Sequence, residues 1–266
     1  MSKGLFDARR KISAVGGLLR QNNVINAVQS LHNGLQDMLR ENLLKSERDE
    51  FERLLTDAVR AVSSNAKIRE AFQMTLTYTP GDEAGLLANI RILLDTLEQL
   101  ALDEAEKRFM ELEAAKQRRF EEGVTALGAG NTEKAKEIFN ALAGEYGTDI
   151  TLLVNIAEAY EQAGLLEDAA FFLEKASAGD PQSAYIHNKR GILYRKMKRF
   201  EDSEQAFISA LAITPDDPYI YFNSGRLYVD WQKWPEAQKA GSKALELEPE
   251  FNEAKMLAEY AAKRVN

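Results

Sequence analysis

Between Lys116 and Phe251 one pattern recurs every 34 residues, four times and without insertion, which restricts the chain to architectures built by stacking one small unit. In phase, the eighth position reads Gly123, Ala157, Gly191 and Gly225, and the twentieth reads Ala135, Ala169, Ser203 and Ala237. The eleventh gives Tyr160, Tyr194 and Tyr228, with Ala126 in the first unit. The thirty-second gives Pro181, Pro215 and Pro249, with Gly147 in the first.

The residue types suit a hairpin of two short helices. Small side chains at the eighth and twentieth positions let the helix axes approach. The aromatic at the eleventh, the residue at the twenty-fourth (Phe139, Leu173, Phe207) and the one at the twenty-seventh (Leu142, Ala176, Ala210, Ala244) fill the seam between units. Prolines fall where the second helix must stop. Gly241 departs from the pattern at the twenty-fourth position of the last unit and is expected to leave room or local flexibility there.

On these residues the chain resembles the tetratricopeptide repeat (TPR) family, over 136 of its 266 residues. The resemblance implies an all-α, right-handed superhelix of helical hairpins whose concave face binds peptides or proteins; it names no partner. The expected organisation is an N-terminal helical region (1–101), a helical connector (102–115), repeats at 116–149, 150–183, 184–217 and 218–251, and a capping helix (252–266).

Net charge is −8; residues 1–115 carry 15 basic and 18 acidic side chains and the remainder 19 and 24, so neither part offers the basic surface that nucleic acid requires. The absence of cysteine removes disulfides, thiolate catalysis and Cys-ligated zinc, and fits a cytoplasmic location. No secretory signal or membrane span is read.

In the N-terminal part, Leu5, Ala8, Ile12, Val15 and Leu19 mark one face of a helix from Lys3 to Arg20, locally +4. A second helix is expected from Asn23 to Leu44, and residues 8–41 echo a degenerate repeat with Ala27 at the close-packing site. A third should open on a capping box of Ser46 and Asp49, and a short fourth should span Ala66 to Met74. After the Thr77–Gly81 loop, Asp82 should cap a helix that continues to about residue 128, supported by Asp103–Lys107 and Glu104–Arg108 pairs; a rigid connection between the halves would follow.

Chemistry-bearing motifs are scarce. His32 and His187 stand alone, no metal-ligand spacing occurs, and no cofactor is expected. Gly128, Gly130 and Asn131 fall at the turn of the first hairpin and read as a turn, not a phosphate cradle. No catalytic residue is assigned, and the protein is read as a non-enzyme.

In the TPR family the groove is lined from the second, fifth, ninth and twelfth positions of each first helix, with the sixth contributing. The resemblance therefore implies Gln117, Phe120, Val124 and Leu127, then Thr151, Val154, Glu158 and Glu161. The favoured peptide-binding set is Tyr185, Asn188, Lys189, Ile192 and Arg195 in the third unit with Tyr219, Phe222, Asn223 and Arg226 in the fourth; Val229 lies beyond them. The carboxylate-clamp subfamily, which holds chaperone tails, needs in turn Lys, Asn, Asn, Lys and Arg at sites that here read Phe120, Val124, Glu158, Tyr185 and Lys189, or one unit later Val154, Glu158, Ile192, Tyr219 and Asn223. Neither frame supplies the clamp.

The function expected is an adaptor or scaffold for a protein or peptide, its N-terminal helices engaging a second partner or a second copy. The alternative is a membrane-surface tether that uses the basic helix from Lys3 to Arg20.

Overall fold

The computed structural model describes residues 2–72 and 75–265, and among them every regular element is an α-helix. The chain divides into two compact units, Met1–Leu112 and Glu113–Asn266. The division falls inside a continuous helix, within the stretch 102–115 expected as a helical connector.

The first unit begins with α1 (Lys3–Arg20) and α2 (Val24–Leu39), an antiparallel pair. Ser2 Oγ accepts from Leu5 N at 3.2 Å and caps α1. Leu5, Ala8, Ile12 and Val15 are buried against Ala27, Val28, Leu31 and Leu35. A Cβ on Gly34 would lie 2.7 Å from Ile12, so the two helices approach as closely as glycine permits. α2 ends five residues before the expected Leu44: Leu39 is already exposed, and Leu43 reaches the core from the segment after the helix.

α3 (Lys45–Ser64) starts one residue earlier than expected and is capped differently. Leu44 N donates to Glu47 Oε2 at 3.0 Å, so Glu47, not Asp49, is the capping acid, and Ser46 lies within the first turn. α4 (Ala66–Ala71) opens where Ile68 N donates to Asn65 Oδ1 at 3.2 Å, and Phe72 is already extended; the expected end at Met74 lies outside the described residues. In the loop that follows, Gly81 has φ +95° and Gly85 N donates to Asp82 Oδ1 at 3.1 Å.

α5 (Glu83–Gly128) is a single helix of 46 residues, continuous as its uninterrupted sequence suggests. Leu86, Ile90, Leu93, Leu94 and Leu97 complete the core of the first unit. Arg108 reaches Glu104 at 3.5 Å, whereas Asp103 accepts from Gln99 at 2.7 Å instead of meeting Lys107.

In the second unit the repeats take shape as hairpins. The end of α5 pairs with α6 (Thr132–Glu145); α7 (Ile150–Gln162) and α8 (Leu166–Gly179), α9 (Ala184–Lys196) and α10 (Phe200–Ile213), and α11 (Pro218–Asp230) and α12 (Trp234–Leu247) follow, closed by α13 (Asn252–Val265). The twentieth-position residues Ala135, Ala169, Ser203 and Ala237 are all fully buried, and Ser203 Oγ donates to the Gly191 carbonyl at 2.6 Å across its hairpin. The eleventh-position tyrosines bind the preceding unit: Tyr194 OH donates to Glu174 at 2.6 Å and Tyr228 OH to Glu204 at 2.8 Å. Tyr160 packs edge-on to Phe139 at 5.3 Å between centroids, and burial pushes its hydroxyl up to about 12.

Every hairpin turn in this unit has a left-handed residue at the same place: Gly130, Gly164, Lys198 and Gln232. The next N–H then closes the turn on the eleventh-position carbonyl, as from Asn131 to Ala126 at 2.8 Å and from Arg199 to Tyr194 at 2.9 Å. The α1–α2 turn of the first unit has the same geometry: Asn22 has φ 59°, and Asn23 N donates to Leu18 O at 2.9 Å.

Gly241 does not leave free room. A Cβ there would lie 3.0 Å from both Cβ and backbone N of Ala258, and α13 occupies the place that Phe207 fills one unit earlier. Asn252 is the first residue of α13. Ala254, Leu257, Ala258 and Ala261 face inward, while Glu253, Lys255, Glu259, Lys263 and Arg264 are exposed, so the end of the stack is covered by a polar surface.

Candidate protein-binding groove

Successive first helices of the repeats are tied together by polar rungs. Between α7 and α9, Lys189 Nζ meets Glu158 Oε1 at 2.6 Å, Tyr185 OH donates to the same oxygen at 3.1 Å, and Lys196 meets Glu161 at 2.6 Å. Between α9 and α11, Asn223 Nδ2 donates to Asn188 Oδ1 at 3.1 Å and Arg195 meets Asp230 at 2.6 Å. The bond from Lys189 holds the Glu158 carboxyl below its ordinary range despite burial. Burial pulls Lys189 down, but its bond to Glu158, the charge of Glu158 and the contact with Tyr185 together leave it raised.

These rungs divide the favoured set by role. Asn188, Lys189, Asn223 and Arg195 spend side-chain hydrogen bonds on neighbouring helices; the Arg195 side chain is only 12 % exposed and braces Asp230. Ile192 packs beside Phe207, Ala210 and Leu227 in the core of the last two repeats. Tyr185 and Tyr219 remain 54 % and 55 % exposed. Phe222 is half-buried, and its ring and that of Tyr219 each pack at a tilt on Phe251, 5.0 Å between centroids. Arg226 is exposed, makes no ion pair within 4.0 Å among the described residues, and lies 5.8 Å from the Phe222 ring centroid. Burial, then the nearby Arg195, lower its guanidinium, partly offset by Asp230. Its charge is the least compensated on this face.

Of the positions named in the first two repeats, Leu127 and Val154 are buried and belong to the core of the stack, and Phe120 packs on Phe139 at 5.8 Å. Val124 stays partly open. A cavity of about 380 Å³ lies at the end of the row, between Arg195, Phe222, Arg226 and Val229 on one side and Glu253, Met256 and Tyr260 of α13 on the other. The contribution of α13 had no signal in the repeat pattern, since this helix follows the last unit.

A second cleft, of about 670 Å³, opens between α10 and α12 with α11 as its floor and exposes Ile208 beside Leu211, Tyr221 and Ala240. Its one sequence signal is the small pair Ala240–Gly241 where earlier units place Phe172–Leu173 or Ala206–Phe207.

At the turn of the first repeat hairpin, Gly130 has φ +74° and Asn131 Oδ1 accepts from Lys134 N at 3.2 Å. His32 Nδ1 lies 3.2 Å from Asn33 Oδ1, and His187 Nε2 lies 3.0 Å from the Pro181 carbonyl. Among the described residues no group of three or more His, Asp or Glu could hold a metal ion, and no helix is long and apolar enough to cross a membrane.

Two family models, both described as tetratricopeptide repeat, match residues 126–193 and 184–217. Among curated proteins no sequence matches the chain. Similar solved structures include the first TPR of Spaghetti (RPAP3) bound to an HSP90 peptide, at 24 % identity over 44 % of this chain and 92 % of that one, with a TM-score of 0.42. MamA is similar at 16 % identity over 57 % and 84 %, TM-score 0.45. The Arabidopsis OM64 TPR domain is similar at 20 % over 43 % and 94 %, TM-score 0.41. Residues 126–217 are a tetratricopeptide-repeat segment, of a class whose members are in general protein-interaction modules.

Proposed function

We propose that the second unit is a non-catalytic adaptor that takes a peptide or protein segment along the face of α7, α9 and α11, with Tyr185, Tyr219, Phe222 and Arg226 as its contact residues. The observation that carries this reading is the division of labour on that face. The polar rungs fix the helices and take up the Tyr185 hydroxyl, while the rings of Tyr185 and Tyr219 and an arginine without an ion pair among the described residues are left outward on the same row. Exposed aromatics with an adjacent guanidinium are the residue types that dominate binding energy at protein interfaces. The membrane-tether alternative is weakened, because the apolar stripe of α1 it would insert is buried in the first unit.

The test is affinity capture from native lysate with the full chain, compared with a Tyr185→Ala, Tyr219→Ala, Arg226→Glu variant. Loss of the captured set at unchanged thermal stability is expected. Retention of the whole set by the variant would move the binding site elsewhere.

A further inference from the structure

Every residue of α5 from 98 to 112 is exposed, including Leu102 at 61 %, Phe109 at 63 % and Leu112 at 50 %. A bare helix of that length is marginal in water without a packed face. Leu102, Ala105, Phe109 and Leu112 recur at steps of three and four, and at about 100° per residue they fall within about 80° of one another. This is the spacing of a coiled-coil seam.

We propose that this face is covered by the same face of a second copy of the chain, running antiparallel about a two-fold axis at Lys107. Side-chain size selects that arrangement. Antiparallel pairing sets Phe109 against Ala105 of the second copy, twice by symmetry, and Leu102 against Leu112, so each layer holds a balanced volume. Parallel pairing would set Phe109 on Phe109 and Ala105 on Ala105, crowding one layer and leaving a void in the next.

Charge selects it again. The seam positions preceding Leu102 are Asp95 and Glu98, and those following Leu112 are Lys116 and Arg119. Antiparallel pairing brings Glu98 opposite Lys116 and Asp95 opposite Arg119 of the second copy, whereas parallel pairing puts like charges together at all of these layers. Lys116 and Arg119 already hold Asp149 and Glu145 within their own chain, so the outer layers set orientation more than affinity. Four apolar layers make a short seam, and a dissociation constant in the micromolar range is expected.

Sedimentation velocity of the full chain across a series reaching hundreds of micromolar tests the pairing, with Leu102→Glu and Phe109→Glu as variants. Both sites are exposed, so helix content should be unchanged by circular dichroism. Expected is a reversible monomer–dimer equilibrium that each variant weakens by at least about tenfold. The chain has no cysteine, so a spin label on Ile92→Cys reports direction. Antiparallel copies place the two labels about 45 Å apart along the helix axis, parallel copies about 10 Å. A wild-type chain that stays monomeric throughout, a dimer that survives Phe109→Glu, or the short label distance would each overturn the proposal.

Discussion

Gly191 lies against the ring of Phe207 so closely that a Cβ would stand 2.6 Å from its Cε1 atom. The eighth and twenty-fourth positions of the repeat therefore form one contact, an absent side chain facing a large ring, and the same holds for Gly123 and Phe139. Alanine is favoured over glycine in a helix by about 1 kcal/mol, yet overpacking here costs about 1–3 kcal/mol. Gly191→Ala should lower stability in denaturant unfolding, and Phe207→Leu in the same background should recover part of the loss.

In the last repeat this contact changes partner. Gly225 meets Leu257 of α13, and Gly241 meets the backbone of Ala258. Gly241→Val would press on the backbone N and Cβ of Ala258, which cannot move aside as the nearby Leu257 methyl can, so it should detach α13. The expected outcome is faster limited proteolysis after residue 251 and a loss of about 1–3 kcal/mol, with the earlier hairpins still helical by circular dichroism.

Lys198 and Gln232 occupy the left-handed turn position that Gly130 and Gly164 fill in the first two repeats. A side chain there costs about 1–2 kcal/mol. Lys198→Gly and Gln232→Gly should each raise stability by up to about 1 kcal/mol, after the entropy lost by glycine is counted, seen as a higher denaturant midpoint at unchanged slope.

Glu158 is held below its ordinary range by Lys189. Its contribution is present above the unfolded value, about pH 4.3, and disappears as pH falls through the lower folded value. The stability difference between wild type and Glu158→Gln should be constant near neutrality and shrink as pH falls below about 4.3; a difference that grows on acidification would mean the pair is not formed.

The helical hairpins were legible because their determinants are local: a close contact within one hairpin, a proline after it, a tyrosine across one seam. The 46-residue helix was legible for the same reason, since nothing between Leu86 and Glu122 breaks it. Pairings across about 35 residues were not. Arg195 read as a free donor and instead braces Asp230, because that bond depends on the rotation between successive hairpins, which no single unit encodes. Gly241 read as slack for a related reason: its neighbour Ala258 lies outside the repeating pattern. Leu44 escaped as a cap because the bond uses its backbone N–H and the Glu47 side chain, with no capping side chain of its own.

The most direct measurement of the binding face is site-specific photo-crosslinking in native lysate, with a photoreactive residue placed at position 219 in one protein and at position 208 in another. Tyr219 stands on the row of first helices, and Ile208 stands in the cleft between α10 and α12; both are about half exposed. A partner adduct at 219 and none at 208 is the expected result. An adduct at 208 with none at 219 would contradict the assignment and make the outer cleft the binding site.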